Sequence, residues 1–201
     1  MTLEQFKAVW ARAAEKTAAR EKDYSALDAA AGGDGDHGEA IVAATRALAK
    51  AEGADFKSLL SDMVSHLETD VSGSTSSLYG SLFEGMADAV EAGKTDLSAQ
   101  ETADLFAAGL EELGFATSAK VGDKTCMDAL IPAIEALAAH AAEGEQAMFA
   151  AAAAAAKAGS DATAQMQAKF GRAKNLGARS IGPIDAGSAS NADIWSCFVE
   201  G

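Results

Sequence analysis

The sequence predicts an all-α fold, an up-and-down antiparallel barrel or bundle of about eight helices. Alanine is abundant while β-branched and aromatic residues are sparse, and this composition favours closely packed helices. Apolar residues recur at helical spacing along almost the whole chain, and strand-like alternation is nearly absent. With 201 residues, 49% of them hydrophobic, the chain can form one domain over residues 1–201 around a substantial core.

Caps and periodicity set the predicted helix boundaries. Thr2 and Gln5 form a capping pattern for the first helix, and Ser98 and Glu101 form another for the fifth, which runs to about residue 113. Pro132 lies inside the sixth helix, where we expect a kink. The remaining helices are predicted over residues 38–51, 54–69, 75–92, 123–142, 146–158, 160–170 and 191–199.

Four glycine- or serine-rich stretches interrupt this pattern, at residues 28–38, 71–77, 115–124 and 171–188. Each lies beside a predicted helix end. Loops held by a rigid scaffold are common places for binding residues. We therefore expect a functional site in these loops, at one end of the barrel.

The charge and the cysteines exclude several classes of protein. A formal net charge of -14 argues against a nucleic-acid partner, which requires clustered Lys and Arg. No apolar run is long enough to cross a membrane, and the N-terminal segment carries charges every few residues, unlike a signal peptide. Cys126 and Cys197 are far apart and in no CxxC pattern, which argues against structural zinc or disulfides. We expect a cytoplasmic protein.

The sequence Asp34-Gly35-Asp36 is a candidate metal-binding turn. Two carboxylates about 4 Å apart repel each other by about 4 kcal/mol at an effective dielectric of 20, and a divalent cation would reverse this effect. Oxygen-only ligands favour Mg²⁺, Ca²⁺ or Mn²⁺. An EF-hand loop that begins at Asp34 is excluded because its twelfth residue is Thr45 and not Glu. A solvated acidic loop with an aspartate N-cap explains the same residues equally well.

The loops also offer candidate phosphate contacts. His37, Ser74 and Thr75 lie at helix starts, where free N–H groups and the helix dipole favour anions. Arg172 and Arg179 lie among glycines and can bind phosphate with two hydrogen bonds each. Ordinary caps and ion pairs with acidic helices remain alternatives for all five residues. No P-loop occurs and no GxGxxG motif follows a strand, so the residues indicate a hard cation with a phosphorylated ligand and nothing more specific.

Taken together, the four loops resemble the nucleotide-binding L subunit of dihydroxyacetone kinase, or the equivalent C-terminal domain of the single-chain kinases. The matching motifs follow the family's order and span nearly the whole chain. They are LDAAAGGDGDHG (27–38), SLYG (77–80), VGDKTCMDALIPA (121–133) and GRAKNLGARSIGPIDAGSAS (171–190). The resemblance implies an eight-helix antiparallel barrel whose loops at one end hold ADP or ATP with two Mg²⁺ ions.

The resemblance also implies roles for individual residues. Asp28, Asp34 and Asp36 would ligate the two Mg²⁺ ions. No general base is implied in this chain, because such a site acts by positioning and electrostatics. The implied nucleotide contacts are His37, Gly38, the backbone of Glu39 and Ala40, Ser74, Thr75, Thr117, Cys126, Arg172, Asp185, Ala186 and Gly187.

By the same resemblance, the phosphoryl acceptor lies on another protein. A sugar-binding K subunit would hold dihydroxyacetone or a related ketose, so we expect a heterocomplex or a homodimer. In one family mode a phosphohistidine protein of the sugar phosphotransferase system rephosphorylates retained ADP; in the other, ATP exchanges. The alternative functions are a nucleotide-sensing regulatory module that binds a transcription factor, and a metal-binding helical domain without nucleotide.

The sequence departs from the family pattern at four places. Five residues separate Asp28 from Asp34, one more than the family usually has, which bears directly on the placement of Asp28. The segment after His37 reads Gly-Glu-Ala-Ile, the second loop reads SGSTSSLYG, and Cys126 replaces a methionine. These changes indicate a divergent branch that serves a related ketose such as erythrulose.

Overall fold

The computed structural model describes residues 1–200 and shows nine α-helices within them. Those residues contain no strand, only an isolated bridge between Thr2 and Asp96. The predicted all-α fold is therefore confirmed. The helices are α1 (Leu3–Ala19), α2 (Glu21–Ala30), α3 (His37–Lys50), α4 (Phe56–Asp70), α5 (Ser74–Ala89), α6 (Ala99–Ala116), α7 (Met127–His140), α8 (Glu145–Ala162) and α9 (Ala186–Ser196).

Eight of these helices form a closed ring. Helix α1 packs on α3, each helix from α3 to α8 packs on the next in sequence, and α9 returns to α1. The short helix α2 packs on α3 and α9. The helices are short-linked and antiparallel, so α3, α5, α7 and α9 all begin at the same end of the barrel.

An aromatic cluster fills the interior of the ring. The Phe198 ring lies 4.9 Å from Phe149, 5.3 Å from Trp195 and 5.7 Å from Phe106, measured between ring centroids. Phe198 also contacts α1 through Trp10. Because these partners come from α1, α6, α8 and α9, one side chain ties together helices from both sides of the ring.

The end of the barrel opposite the four helix starts is tied together by the N-terminus. The Met1 ammonium donates to the Leu97 carbonyl at 2.7 Å and to Glu145 at 2.6 Å. The Leu3 N–H donates to the Thr95 carbonyl. Among residues 1–200, no helix has both the length and the apolar character needed to cross a bilayer.

Some predicted boundaries were wrong. Helix α2 was not predicted. A separate helix over residues 160–170 does not form, because Ser160 is buried against the Ser188 hydroxyl instead of capping a new helix. Helix α8 instead continues to Ala162, where a short 3-10 turn ends it. The last helix begins at Ala186 instead of residue 191, because the Asp185 carboxylate caps the Ser188 N–H.

Helices α7 and α8 pack with very little space between their backbones. Pro132 cannot donate a hydrogen bond to the Asp128 carbonyl, and α7 nevertheless continues through it to His140. Gly159 of α8 lies against this same carbonyl: a Cβ atom at position 159 would be 1.9 Å from its oxygen. The proline therefore leaves a free carbonyl, and a glycine allows the neighbouring helix to approach it. The predicted kink remains a prediction.

The close contact predicts an unusual response to substitution. Alanine normally stabilises a helix interior relative to glycine by about 0.5–1 kcal/mol. For Gly159→Ala we expect the opposite, a loss of about 1–3 kcal/mol in the free energy of unfolding, because the methyl group overlaps the Asp128 carbonyl. Urea denaturation measures this. Gly114→Ala in α6, where no atom lies within 4 Å of the added methyl, is the control and should be neutral or stabilising. Similar stabilisation by both changes would contradict the close packing.

Candidate functional site

A cavity of about 520 Å³ opens at the end of the barrel where α3, α5, α7 and α9 begin. Its volume falls within the range of small-molecule binding sites. All four loops predicted from the sequence contribute to it. The lining residues lie within 28–41, 72–79, 117–127, 170–173 and 185–191.

Three carboxylates meet at one side of this cavity. One oxygen each from Asp28, Asp34 and Asp36 lies within 4.8 Å of the other two. Asp36 is the residue before α3, yet its carboxylate makes no capping hydrogen bond to that helix. The group therefore presents acidic oxygens without nitrogen or sulfur, a ligand set that suits a hard divalent cation.

The end of α2 explains how Asp28 reaches this group despite the extra residue. The Gly33 N–H donates to the Asp28 carbonyl and the Gly32 N–H to the Ala29 carbonyl, the two hydrogen bonds of a Schellman motif. Gly32 has a φ of +86°, which favours glycine. The Asp28 carboxylate then accepts from the Gly35 N–H at 2.7 Å. The two glycines thus close the helix end and bring the turn back over Asp28.

Helices α3, α5 and α7 begin at the cavity without side-chain caps. His37, Ser74 and Thr75, in the first turns of α3 and α5, line the cavity. At the opposite end, α1, α4 and α6 each have a complete capping box, whereas α8 has no side-chain cap. Uncapped N–H groups at a helix start bind anions, so this side of the cavity suits phosphate.

Hydrogen bonds to α9 hold the wall beside these helix starts. His37 Nε2 lies 2.9 Å from the Ser190 hydroxyl, and burial lowers the pKa of His37 while Asp28 opposes that shift. The Tyr79 hydroxyl lies 3.4 Å from the Asn191 side chain, which also donates to the Gly187 carbonyl. These contacts fix α3 and α5 relative to α9.

Several apolar residues also line the cavity. Cys126 precedes α7, and burial raises the pKa of its thiol to about 12, so the side chain stays neutral. Gly187 lies directly against it: a Cβ at this position would be 3.1 Å from the Cys126 Cβ. Together with Leu78 and Phe170, these residues give a surface suited to a flat ring.

A buried charged group lies behind this surface. Lys124 is 3% exposed, has a φ of +60°, and donates to the carbonyls of Thr163 and Pro183, which ties three loops together. Burial is the main reason why the pKa of Asp185 is raised to about 7, and the nearby Asp128 carboxylate also raises it. Asp128 is fully buried and accepts from the Gly122 and Thr125 N–H groups.

Of the fifteen residues implied by the resemblance, thirteen line the cavity and two do not. Gly38 is buried against α2, where a Cβ would be 2.0 Å from the Glu21 carbonyl oxygen. A glycine at this position therefore allows α2 and α3 to pack closely. Glu39 is exposed on the outer side of α3 and does not reach the cavity. Arg172 forms an ion pair with Asp34, and the Thr117 hydroxyl accepts from the Ala119 N–H.

Sequence reasoning did not assign several lining residues. Tyr79 belongs to the SLYG motif, which was noted without a role, and Asn191 was taken only as a helix start. Phe170 was placed in a helix that does not form. Lys124 belongs to the VGDKTCMDALIPA motif, but nothing in its residue type indicates a positive φ or two carbonyl acceptors.

Comparisons with known proteins agree with this fold. A family model described as the DAK2 domain matches residues 31–200. The chain is 33% identical over 189 residues to the ADP-binding subunit DhaL of PEP-dependent dihydroxyacetone kinase 2 from Listeria innocua, covering 90% of this chain and 87% of that protein. It is 37% identical over 192 residues to D-erythrulose kinase from Mycolicibacterium smegmatis, but spans only 32% of that protein.

A solved structure shows the same fold. The dihydroxyacetone kinase of C. freundii, crystallised with AMP-PNP and Mg²⁺, matches 97% of this chain and 33% of its own with a TM-score of 0.77 at 24% identity. The ring of helices and the carboxylate-lined cavity define an all-α barrel domain with a candidate site at one end. The chain belongs to the DAK2 domain family.

The buried Asp185 predicts a pH dependence of stability. Its pKa in the folded protein lies above the ordinary value for aspartate, so its contribution to stability is lost as pH rises through about 7. We expect Asp185→Asn, which keeps an N-cap, to raise the Tm of the ligand-free protein by several degrees at pH 8. The difference should shrink toward pH 5, as thermal denaturation in EDTA will measure.

Asp55 provides a matched control. It is also an N-cap, but hydrogen bonds from the Ser58 side chain and backbone and from the Gly93 N–H lower its pKa to about 2. Asp55→Asn should therefore lower the Tm throughout pH 5–8. An Asp185→Asn effect that does not change with pH would contradict the assignment.

Proposed function

We propose that this chain is the ADP- or ATP-binding subunit of a ketose kinase and supplies a phosphoryl group to a sugar on a separate K subunit. The main observation behind the proposal is that three carboxylates and the uncapped starts of α3 and α5 line the same cavity. A metal–phosphate ligand requires both features, because the cation needs acidic oxygens and the phosphates need donors.

Mg²⁺ fits the carboxylate cluster. Asp28, Asp34 and Asp36 offer only oxygen atoms, too few to complete an octahedral shell, so phosphate oxygens and waters would supply the rest. When bound, Mg²⁺ neutralises charge on the terminal phosphates of the nucleotide. All three carboxylates can bind a single ion, or they can bind two ions between them, as the resemblance implies.

The remaining cavity residues fit a nucleotide. The N–H groups at the start of α3 and α5 would bind phosphate oxygens, and the Ser74 and Thr75 side chains add hydroxyl donors there. Arg172 is 65% exposed and pairs only with Asp34, so it can turn to a phosphate once a cation takes over Asp34. The neutral wall at Cys126 and Gly187 would pack on the base.

This chain would contribute to catalysis by positioning the phosphates of the nucleotide. The hydrogen bonds of His37 to Ser190 and of Tyr79 to Asn191 hold both helix starts in place, so their donors need little reorganisation as charge moves. No residue of the chain need act as general base. The attacking hydroxyl comes from a ketose held by the K subunit, and it meets the terminal phosphate at the open mouth of the cavity.

The similar proteins support a two-part enzyme. Those of comparable length are named ADP-binding subunits of PEP- or PTS-dependent dihydroxyacetone kinases, and the longer ones are named as whole kinases of dihydroxyacetone or erythrulose. Retention of ADP through purification, measured by mass spectrometry, would favour rephosphorylation in place by a phosphohistidine protein. Purification without nucleotide would favour exchange of ATP.

The metal assignment predicts the effect of two substitutions. Asp34→Asn or Asp36→Asn should weaken Mg-ADP binding by roughly 30-fold or more, since losing one member of a close charge pair costs about 2–5 kcal/mol. Isothermal titration measures the affinity, and circular dichroism should show an unchanged fold. Glu39→Gln, a carboxylate on α3 outside the cavity, is the control and should bind normally. Normal Mg-ADP affinity in either aspartate variant would rule out the assignment.

The kinase assignment predicts phosphorylated product. With ATP, Mg²⁺ and the K subunit from the same genome, the chain should convert dihydroxyacetone or erythrulose to the sugar phosphate, measured by mass spectrometry. Asp36→Asn should lower the rate at least as much as it lowers Mg-ADP affinity. Normal Mg-ADP binding without product from any ketose would instead support the regulatory module.

A further inference from the structure

Helix α2, which carries Asp28, has a single buried side chain, that of Tyr24. The helix has ten residues and no side-chain cap at its N-terminal end. A helix this short is marginal in water, so its place in the fold depends on its tertiary contacts with α3 and α9. Because Tyr24 is fully buried, its contacts largely determine where α2 lies.

The buried tyrosine is tied to α9 by a charged hydrogen bond. The Tyr24 hydroxyl donates to the Asp193 carboxylate of α9 at 2.6 Å, and burial together with this bond raises the pKa of Tyr24, so the hydroxyl stays protonated. Arg20, at the junction of α1 and α2, pairs with the same carboxylate oxygen, and its guanidinium carbon lies 5.3 Å from the centre of the Tyr24 ring. The Asp193 side chain is only 18% exposed, and charge-assisted hydrogen bonds are strong where water is excluded. We call these three residues the α2 anchor: Arg20, Tyr24 and Asp193.

The α2 anchor lies one helical turn from Asp28. Residues four apart in a helix share one face, so Tyr24 and Asp28 lie on the same side of α2. The Tyr24 ring is also edge-on to His37, the first residue of α3, at 6.4 Å between ring centroids. Beyond Asp28 the chain turns through Gly32 and Gly33. The place of the Asp28 carboxylate is therefore set on one side by this glycine turn and on the other by the α2 anchor.

The partner helix α9 also holds the start of α3. Asp193 is three residues after Ser190, whose hydroxyl lies 2.9 Å from His37 Nε2. Asp36 directly precedes His37. Contacts to one helix thus fix both the element that carries Asp28 and the element that follows Asp36, so two of the three carboxylates are positioned against a common reference.

We propose that the α2 anchor positions the Asp28 carboxylate for the divalent cation by fixing α2 to α9. The proposal rests on the metal site of the proposed function and adds three positioning residues to it. None of Arg20, Tyr24 and Asp193 lines the cavity, so they act through Asp28 and not by contact with the ligand. Without the hydrogen bond of Tyr24, α2 would hold Asp28 beside the other two aspartates for a smaller fraction of the time, and the apparent metal affinity falls with that fraction.

Binding of Mn²⁺ to the whole chain in saturating ADP, measured by electron paramagnetic resonance, tests the proposal, because Mn²⁺ prefers the same oxygen ligands. Tyr24→Phe keeps the buried ring and removes only the hydroxyl, and it should weaken Mn²⁺ binding by about 10-fold. Thr17→Val is the matched control. The Thr17 hydroxyl also joins two helices, at 2.7 Å from the Thr45 hydroxyl, and both residues are fully buried and outside the cavity. This control should bind Mn²⁺ within about twofold of the unchanged chain, although it loses a buried hydrogen bond as well.

A double substitution distinguishes positioning from a general loss of structure. Asp28→Ala removes one proposed ligand and leaves Asp34 and Asp36, so the variant should bind Mn²⁺ more weakly. Adding Tyr24→Phe to Asp28→Ala should then change the Mn²⁺ affinity by less than about twofold, because the α2 anchor acts only through Asp28. Equal weakening by Tyr24→Phe and Thr17→Val, an undiminished effect of Tyr24→Phe in the Asp28→Ala chain, or unchanged binding by Tyr24→Phe would each overturn the proposal.

The same titration separates this proposal from the proposed function. If the unchanged chain binds no Mn²⁺ in the presence of ADP, the metal site of the proposed function fails, and the role of the α2 anchor fails with it. If the unchanged chain binds Mn²⁺ and Asp34→Asn weakens that binding, the metal site stands. Any of the contrary results for Tyr24→Phe then overturns the α2 anchor alone.

Discussion

The site depends on the alternation of helix direction around a closed ring. In an antiparallel ring of eight helices, every second helix begins at the same end, so four sets of N–H groups gather there without any help from the loop sequences. The loop residues then determine whether these N–H groups are capped by the chain itself or stay free for a ligand. At α9 a carboxylate from the chain itself caps the helix, whereas at α3 and α5 the donors are left for a ligand.

Acidic and basic side chains at this end partly neutralise one another. Three carboxylates converge beside α2 and α3, and Arg172 partly neutralises them through Asp34. Further back, Asp128 is satisfied by two loop N–H groups and Asp185 by the first turn of α9. The raised pKa of Asp185 shows that burial here opposes negative charge, and a bound cation would relieve that cost.

The sequence predicted the fold class and the loops that line the cavity, because both follow from local patterns. Apolar spacing and capping residues predicted most of the helices, and glycine-rich motifs located the four loops. The errors came from tertiary contacts. Ser160 has the residue type of an N-cap, but it is buried in the core beside the Ser188 hydroxyl. The conformation of Lys124 depends on carbonyls from two distant segments, which no local pattern contains.

The Schellman motif at the end of α2 has a consequence for the carboxylate cluster. Its two glycines turn the chain back so that the Asp28 carboxylate lies beside Asp34 and Asp36, although five residues separate Asp28 from Asp34. The family model begins its match at residue 31, after this aspartate. Whether the three carboxylates meet therefore depends on the glycines at the end of α2, and not on the length of the loop alone.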